Sequence, residues 1–426
     1  MPSKRILLVV ALLASATAVA LVAAGRFSAR AGTVCFTVRG DVNCDCMVDL
    51  TDFLLEAPRW NQNKRDGGYN PGYDLDGDGR VSLADLASVL SRWGRTCRTD
   101  LGLRKGINYV AWWQSAYQTP AADQALDNLA ATGANWVALV VTGYQQYTSS
   151  TSISRSLSYT PSDADLVHVL DRAHKLGLKV MLKPHLDLTN DSQSWRALIG
   201  FKTEADWAAW FASYRSFINH YAELAQAHGA EALVVGVELQ GTSKRETEWR
   251  RVVAEVRQRY SGPITYAANF GGEETAIKWW DALDYIGVDA YYKLSQKDRP
   301  SLSEIKAGWQ KYILVLERLS KKYGRPVILT EIGYRSIVGT SRIAGDWKLG
   351  EGRPVDLLEQ ANAYQAFFET VWGKPWLAGA YFWNWPADSA SGGPTDNNYT
   401  PYKKPAEQVL RLWYGGRTPT QAGAAR

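Results

Sequence analysis

From residue 105 onward, short aliphatic runs alternate with longer amphipathic stretches. That alternation restricts the chain to a parallel sheet covered by helices. Candidate strands are Gly106–Trp113, Trp136–Thr142, Lys179–Leu188, Ala232–Leu239, Pro263–Phe270, Leu283–Tyr292, Pro326–Tyr334 and Leu377–Trp385. Helical periodicity is plain over Glu204–His228, Ser243–Tyr260, Ser303–Tyr323 and Val355–Trp372, and weakest between the fifth and sixth strands. Eight such units over about 310 residues predict a (β/α)8 TIM barrel. A doubly wound open sheet is the alternative, but no Gly-rich phosphate turn follows the first strand.

In such a barrel the chemistry gathers at the C-terminal ends of the strands. Glu238 closes the run Leu233-Val234-Val235-Gly236-Val237, and Glu331 closes Pro326-Val327-Ile328-Leu329-Thr330. A carboxylate at the end of a buried strand is costly to desolvate. Two of them in one domain are what glycoside hydrolysis needs, one as proton donor and the other as nucleophile or base. An ordinary pair of buried salt-bridge partners is the structural alternative. Other polar and aromatic side chains accumulate at the same rim as candidate substrate contacts. They are Trp112 and Trp113 on the first strand, Lys183, His185 and Asp187 on the third and Asn269 on the fifth. Asp289 and Tyr291 follow on the sixth, and Trp383 and Trp385 on the eighth.

The runs Lys183-Pro184-His185-Leu186-Asp187, Val235-Gly236-Val237-Glu238-Leu239, Thr265-Tyr266-Ala267-Ala268-Asn269, Asp284-Tyr285-Ile286-Gly287-Val288-Asp289-Ala290-Tyr291 and Thr330-Glu331-Ile332-Gly333-Tyr334 carry a resemblance. They are similar to β-1,4-mannanases of glycoside hydrolase family one hundred and thirteen, over roughly 105–415. The resemblance implies a retaining mechanism with Glu238 as acid/base and Glu331 as nucleophile. It further implies a hydrogen bond from Tyr291 to the nucleophile and a sugar platform at Trp383, with no cofactor for the reaction. Most members of the wider clan have Asn before the acid/base, where this chain has Val237. Another donor, such as Asn269, His185 or Lys183, is then needed for the sugar 2-hydroxyl. A β-glucan substrate, a non-catalytic carbohydrate-binding barrel and a calcium-dependent adhesion protein are the rival readings.

A second pattern lies upstream. Residues 41–60 and 74–93 repeat with an offset of 33. The second copy places Asp74, Asp76, Asp78 and Asp85 at positions 1, 3, 5 and 12, with the Arg80 carbonyl at 7 and Gly79 at the sharp turn. That is the oxygen spacing calcium requires. In the first copy Asp41, Asn43, Asp45 and Asp52 stand at the same places, with Cys46 in the glycine position. Each loop is followed by one amphipathic segment, Phe53–Trp60 or Leu86–Trp93. This duplicated loop–helix pattern resembles the dockerin domain over 39–95. The resemblance implies a small all-α module, two structural Ca2+ ions and a cohesin-bearing scaffold as partner. Cysteines in the loops depart from the cellulosomal pattern.

Lys4 and Arg5 precede an apolar run from Ile6 to Ala24 with small-residue cleavage sites after it, so residues 1–31 are expected to be a signal peptide. The run is long enough for an uncleaved anchor as well. Either way the protein is expected to be secreted, extracellular or attached at the cell surface. Cys35, Cys44, Cys46 and Cys97 all fall in the module at 32–98, where three pairings exist and a Cys35–Cys97 clasp would bracket it. Residues 416–426 are expected to form a disordered tail. The net charge of +5 is spread without a basic block, which gives no case for nucleic acid. The 18 Trp supply many flat apolar faces, of the kind on which sugar rings stack, although most Trp serve a core.

Overall fold

The computed structural model describes residue 42 and residues 50–70, 73–75, 78–90, 102–190, 194–346 and 348–415. The chain divides into two compact units, Met1–Gly102 and Leu103–Arg426. The expected signal peptide, the four cysteines and the C-terminal tail lie outside the described residues, as do Asp41, Asn43, Asp45, Asp76 and Trp347. Among the described residues no helix is long and apolar enough to cross a membrane.

The larger unit is a closed barrel of eight parallel strands in sequential order. They are β1 (Arg104–Val110), β2 (Trp136–Gln145), β3 (Lys179–Leu188), β4 (Ala232–Val237), β5 (Ile264–Asn269), β6 (Tyr285–Asp289), β7 (Val327–Ile332) and β8 (Leu377–Pro386). β1 closes the ring by pairing with both β2 and β8. All eight expected strands are present. The first stops at Val110, so Trp112 and Trp113 stand in the loop beyond it.

Helices form the outer layer where the periodicity places them. Glu204–Ala227, Glu246–Arg257, Leu302–Tyr323 and Leu357–Thr370 each agree with an expected stretch to within a few residues. Ser162 and Ser301 start their helices with reciprocal capping boxes to Asp165 and Glu304, satisfying end groups that would otherwise lack partners. Between β5 and β6 there is no long helix, only short turns at Glu273–Ala276 and Trp280–Ala282. Aromatic packing covers the sheet there instead. The ring of Trp279 stacks on Trp249 at 5.1 Å, and Tyr266 meets both edge-on.

Side chains inside the barrel change character along its axis. At the N-terminal end the Arg104 guanidinium lies between the rings of Trp136 and Tyr285, 4.2 and 4.3 Å from their centroids. Above it Ala138, Met181, Val234, Ala267 and Ile328 form an apolar plug with Tyr381. Two residues beyond Met181 on β3, the period that keeps a side chain on one face, stands Lys183. The polar layer begins there.

In the smaller unit, helices span Leu50–Glu56 and Leu83–Leu90. Both start three residues before the expected segments. Asp85 explains the shift, because it accepts the Ser82 N–H at 2.7 Å and so caps the helix from inside it. The repeat recurs in the hydrogen bonds. The Val42 N–H donates to Asp52 Oδ1 at 2.8 Å, and its counterpart 33 residues on, the Leu75 N–H, donates to Asp85 Oδ1 at 2.7 Å. Gly79 has φ +89°, and its N–H donates to Asp74 Oδ2 at 2.8 Å, as the tight loop requires.

Gly287 offers a test of the barrel packing. A Cβ there would lie 2.2 Å from the Tyr266 carbonyl oxygen and 2.7 Å from Thr265 Oγ1, so β5 and β6 would have to separate. Gly287→Ala is expected to lower barrel stability by about 1–3 kcal/mol or more, read as a lower midpoint in urea followed by tryptophan fluorescence.

Candidate active site

Both glutamates arise where a strand ladder slips. Between β6 and β7 the register shifts between the Val288↔Leu329 and Asp289↔Glu331 pairs. Between β4 and β5 it shifts between Val234 and Val237, directly before Glu238. Such irregularities re-aim a side chain at the rim of a barrel. Glu238 itself has φ +53°, a left-handed conformation that costs a non-glycine residue about 1–2 kcal/mol. Its N–H donates to the Ala267 carbonyl at 2.8 Å. The next N–H, that of Leu239, donates to the Tyr266 hydroxyl at 2.8 Å, and this hydroxyl in turn donates to Glu273 at 2.6 Å.

Glu331 sits in a complete set of donors. Lys183 Nζ lies 2.5 Å from Oε1, and the Tyr291 hydroxyl donates to Oε2 at 2.5 Å. Lys183 is fully buried, 3.6 Å from Asp289, and also donates to the Thr330 carbonyl at 3.3 Å. Asn108 on β1 donates to that same carbonyl at 3.2 Å. Asp289 accepts from Thr330 Oγ1 at 2.7 Å. Lys183 and Asp289 are thus fully buried against Glu331 and Thr330, a correction to their expected role as sugar contacts.

Glu238 is paired differently. Arg196 Nη2 donates to its Oε2 at 2.7 Å. Burial pushes the Glu238 carboxyl above its ordinary range, and the Glu331 charge adds to this, against the pull of Arg196 and Lys183. Burial likewise raises Asp289 well above the usual carboxylate range, with Glu331 next in weight. Burial, then the charges of Lys183 and Arg196, holds His185 well below its ordinary value, so its imidazole is neutral.

The remaining expected residues divide. The His185 ring stacks on Trp383 at 5.9 Å, and its Nε2 is 3.7 Å from Glu331. His185 Nε2 and Asn269 Oδ1 are buried without hydrogen-bond partners, as groups awaiting a ligand would be. Trp383 is half-buried, with Trp112 6.2 Å away, and Trp112 and Trp113 are exposed. Asp187 is half-exposed at the rim, 3.5 Å from Arg196. Trp385 corrects the expectation of a sugar contact. It is fully buried and its indole N–H donates to the Ala125 carbonyl at 2.9 Å, so it belongs to the core.

Sequence reasoning missed Arg196, Asn108 and Tyr399. Arg196 lies in an aperiodic stretch that gives no signal. Asn108 was detectable, since it shares a face of β1 with Arg104 by the two-residue period. Tyr399, in a late loop, packs its ring edge-on to Tyr291 at 5.8 Å and donates to the Ala344 carbonyl.

A (β/α)8 barrel with carboxylates at the ends of its fourth and seventh strands has the architecture of a glycoside hydrolase. The sequence profile of Glycoside Hydrolase Family 113 matches residues 109–404, and the chain belongs to that family. No functionally curated protein matches the chain. Among solved structures, a family 113 β-1,4-mannanase in complex is 29% identical with TM-score 0.67, covering 74% of this chain and 99% of that one. The family 113 β-mannanase AaManA from Alicyclobacillus acidocaldarius, in complex with ManMIm, is 31% identical with TM-score 0.66, over 74% and 98% of the two chains. A β-glucuronidase from Ruminococcus gnavus shares the fold alone, at 15% identity and TM-score 0.50, over 73% of this chain and 50% of that one.

Lys183→Met removes the cation between two buried carboxyls. Breaking such a pair typically costs about 3–5 kcal/mol. Asp289, already raised by burial, should then take up a proton on folding, so the variant is expected to gain stability as pH falls, measured by urea unfolding at several pH values. Its hydrolytic activity should fall by about 10²-fold or more, the scale of a lost charged hydrogen bond plus a misaligned Glu331.

Proposed function

We propose that the protein is a secreted, retaining endo-β-1,4-mannanase. The observation that carries this reading is the unequal setting of the two buried glutamates, which lie near enough for the Glu331 charge to act on Glu238. Lys183 and Tyr291 donate to Glu331, the environment an attacking carboxylate needs. Glu238 is pushed toward its protonated form by burial and by Glu331, as a proton donor must be. Family 113 relatives at 29 and 31% identity are β-mannanases, which supports the substrate class. The exposed Trp112 beside Trp383, together with the exposed Trp113 next to it in the chain, offers stacking surface for more than one sugar ring.

The chemistry follows in two displacements. Glu331 attacks the anomeric carbon as the glycosidic bond breaks, and Glu238 gives its proton to the departing oxygen. A glycosyl ester on Glu331 results, with Glu238 now ionised. Glu238 then takes a proton from water, whose oxygen attacks the same carbon and releases Glu331. Neutral His185 and Asn269, with their unpaired atoms, supply hydrogen bonds to sugar hydroxyls in the place of the clan's missing Asn.

Reducing-sugar release from mannans and β-glucans tests the substrate class, with mannans expected to be cleaved and glucans not. Azide tests the roles. Glu331→Ala should almost abolish hydrolysis. Glu238→Ala should lose roughly 10²–10⁴-fold, less on activated aryl glycosides. Azide should rescue Glu238→Ala with a β-glycosyl azide, and any product from Glu331→Ala should be the α-azide. The reverse anomers would exchange the assignments, and inverted product from the wild type would remove the double displacement.

For the smaller unit we propose a dockerin-like module with structural calcium in its repeated loops. Calcium would be held by Asp74, Asp76, Asp78, Asp85 and the Arg80 carbonyl, and by Asp41, Asn43, Asp45 and Asp52 in the first copy. Among the described residues no metal-binding cluster of three or more His, Cys, Asp or Glu is assembled, and four of the proposed ligands lie outside them. Glu56 is buried in the same unit, near Asp85 and Asp52. Its carboxyl is pushed up to about 8, first by burial and then by Asp85 and Asp52. Acidic groups packed this closely favour a divalent ion. A cohesin-bearing scaffold is the partner such a module would take. Titrating calcium into the metal-free full chain should show binding and slow amide exchange over residues 50–90. Chelation should leave the hydrolysis rate unchanged, and an equal loss of activity would overturn the separation.

A further inference from the structure

Arg196 is the residue at the site that no expectation had placed. Its turn, Arg196–Leu198, follows β3 in the chain. The turn is pressed against the segment that follows Glu238. A Cβ on Gly241, in the turn Gln240–Ser243, would lie 2.1 Å from the Ile199 carbonyl oxygen and 3.1 Å from that of Ala197. Ala197 and Ile199 are themselves buried. The backbones carrying Arg196 and Glu238 are therefore packed in direct contact. The guanidinium is not a loose surface group, since its side chain is only 16% exposed.

One arm of the fork, Nη2, donates to Glu238 at 2.7 Å, and the other, Nη1, lies 3.5 Å from Asp187. The site then reads as alternating charge: Asp187, Arg196, Glu238, with Glu331 and Lys183 beyond. A proton donor does not need a cation at its oxygen. A general base must be ionised and correctly turned when water attacks, and a cation held at its oxygen secures both. The two half-reactions thus ask opposite things of Glu238. Glu331 changes between them, from an anion in the resting enzyme to a neutral ester in the intermediate. Its charge opposes ionisation of Glu238 only in the first state, whereas Arg196 is present in both.

We propose that Arg196 is a positioning residue for Glu238, the fixed counter-cation that turns and ionises this carboxyl for the second half-reaction once Glu331 is esterified. The proposal rests on the double-displacement reading above. The other groups facing Glu238 are Lys183 on β3, Glu331 on β7, Asp289 on β6, Glu273 in the turn after β5 and Tyr399 in the loop after β8. Of these, Glu331 is the one whose charge the reaction removes.

The test compares Arg196→Gln, which keeps donors without charge, with Arg196→Lys, which keeps the charge. Loss of the cation raises the pH at which Glu238 ionises. In Arg196→Gln the basic limb of kcat/KM, which needs protonated Glu238, should therefore move up by about one pH unit or more, the usual effect of an opposite charge at this range. On an aryl β-mannoside with a good leaving group, where breakdown of the ester limits, kcat should fall about tenfold or more and its acid limb should also move up. Arg196→Lys should restore both limbs. A Gln variant with unmoved limbs and a loss confined to KM would assign Arg196 to substrate binding and overturn the proposal. A wild type that cleaves no β-linked glycan would overturn the functional reading instead. The coupling of Arg196 to Glu238, on which the proposal depends, is then tested without substrate, by 13C NMR titration of carboxyl-labelled glutamate, with the Glu238 signal identified by its absence in Glu238→Gln. An unchanged Glu238 titration in Arg196→Gln overturns it.

Discussion

The ion pair between Lys183 and Glu331 is the interaction around which the barrel interior is arranged. A charge taken out of water is tolerated only when partners replace its hydration. Lys183 has such partners on several sides: Glu331, Asp289 and the Thr330 carbonyl, with Asn108 tied to that same carbonyl. Those partners come from β7, β6 and β1, so one ammonium on β3 draws strands from across the ring together. Directly below it lies the apolar plug, with the Arg104 guanidinium beneath that. The boundary between plug and chemistry is a single step along β3, from Met181 to Lys183.

This ordering explains why the fold was legible and the site only partly so. Aliphatic runs mark buried parallel strands, and all eight were found. Their ends are where reading by period fails, because the ladder slips there. Trp383 and Trp385 show the difference. Two residues apart, they should share a face. Between the Ile107↔Phe382 and Tyr109↔Trp385 pairs, however, the register shifts, and Trp385 turns into the core while Trp383 stays at the cavity. Arg196 was out of reach for another reason. It belongs to no periodic element, and its place depends on a backbone contact at Gly241 that only the folded chain reveals.

Loop packing also carries the site where helices are missing. The connection from β5 to β6 has no long helix, yet Glu273 in its first turn accepts both the Tyr266 hydroxyl and the Asn269 N–H, at 2.6 and 2.7 Å. Tyr266 then receives the N–H next to Glu238. A turn that looked weak in the sequence is thereby tied to the backbone beside Glu238. The indole stack of Trp249 and Trp279 closes the gap a helix would have filled.

The left-handed backbone at Glu238 has a consequence for how this chain can change. At φ +53° glycine is the residue the local conformation favours, and every side chain there is held against its preference by the surrounding bonds. Function and fold therefore pull in opposite directions at this one position. Glycine would relieve that backbone cost but would leave Arg196 without its carboxylate partner, so the pair holds in place a conformation the backbone disfavours. The strand end is therefore locked by a side-chain ion pair rather than by its own backbone preference, and a residue placed there without a carboxylate would release both the Arg196 turn and the local conformation.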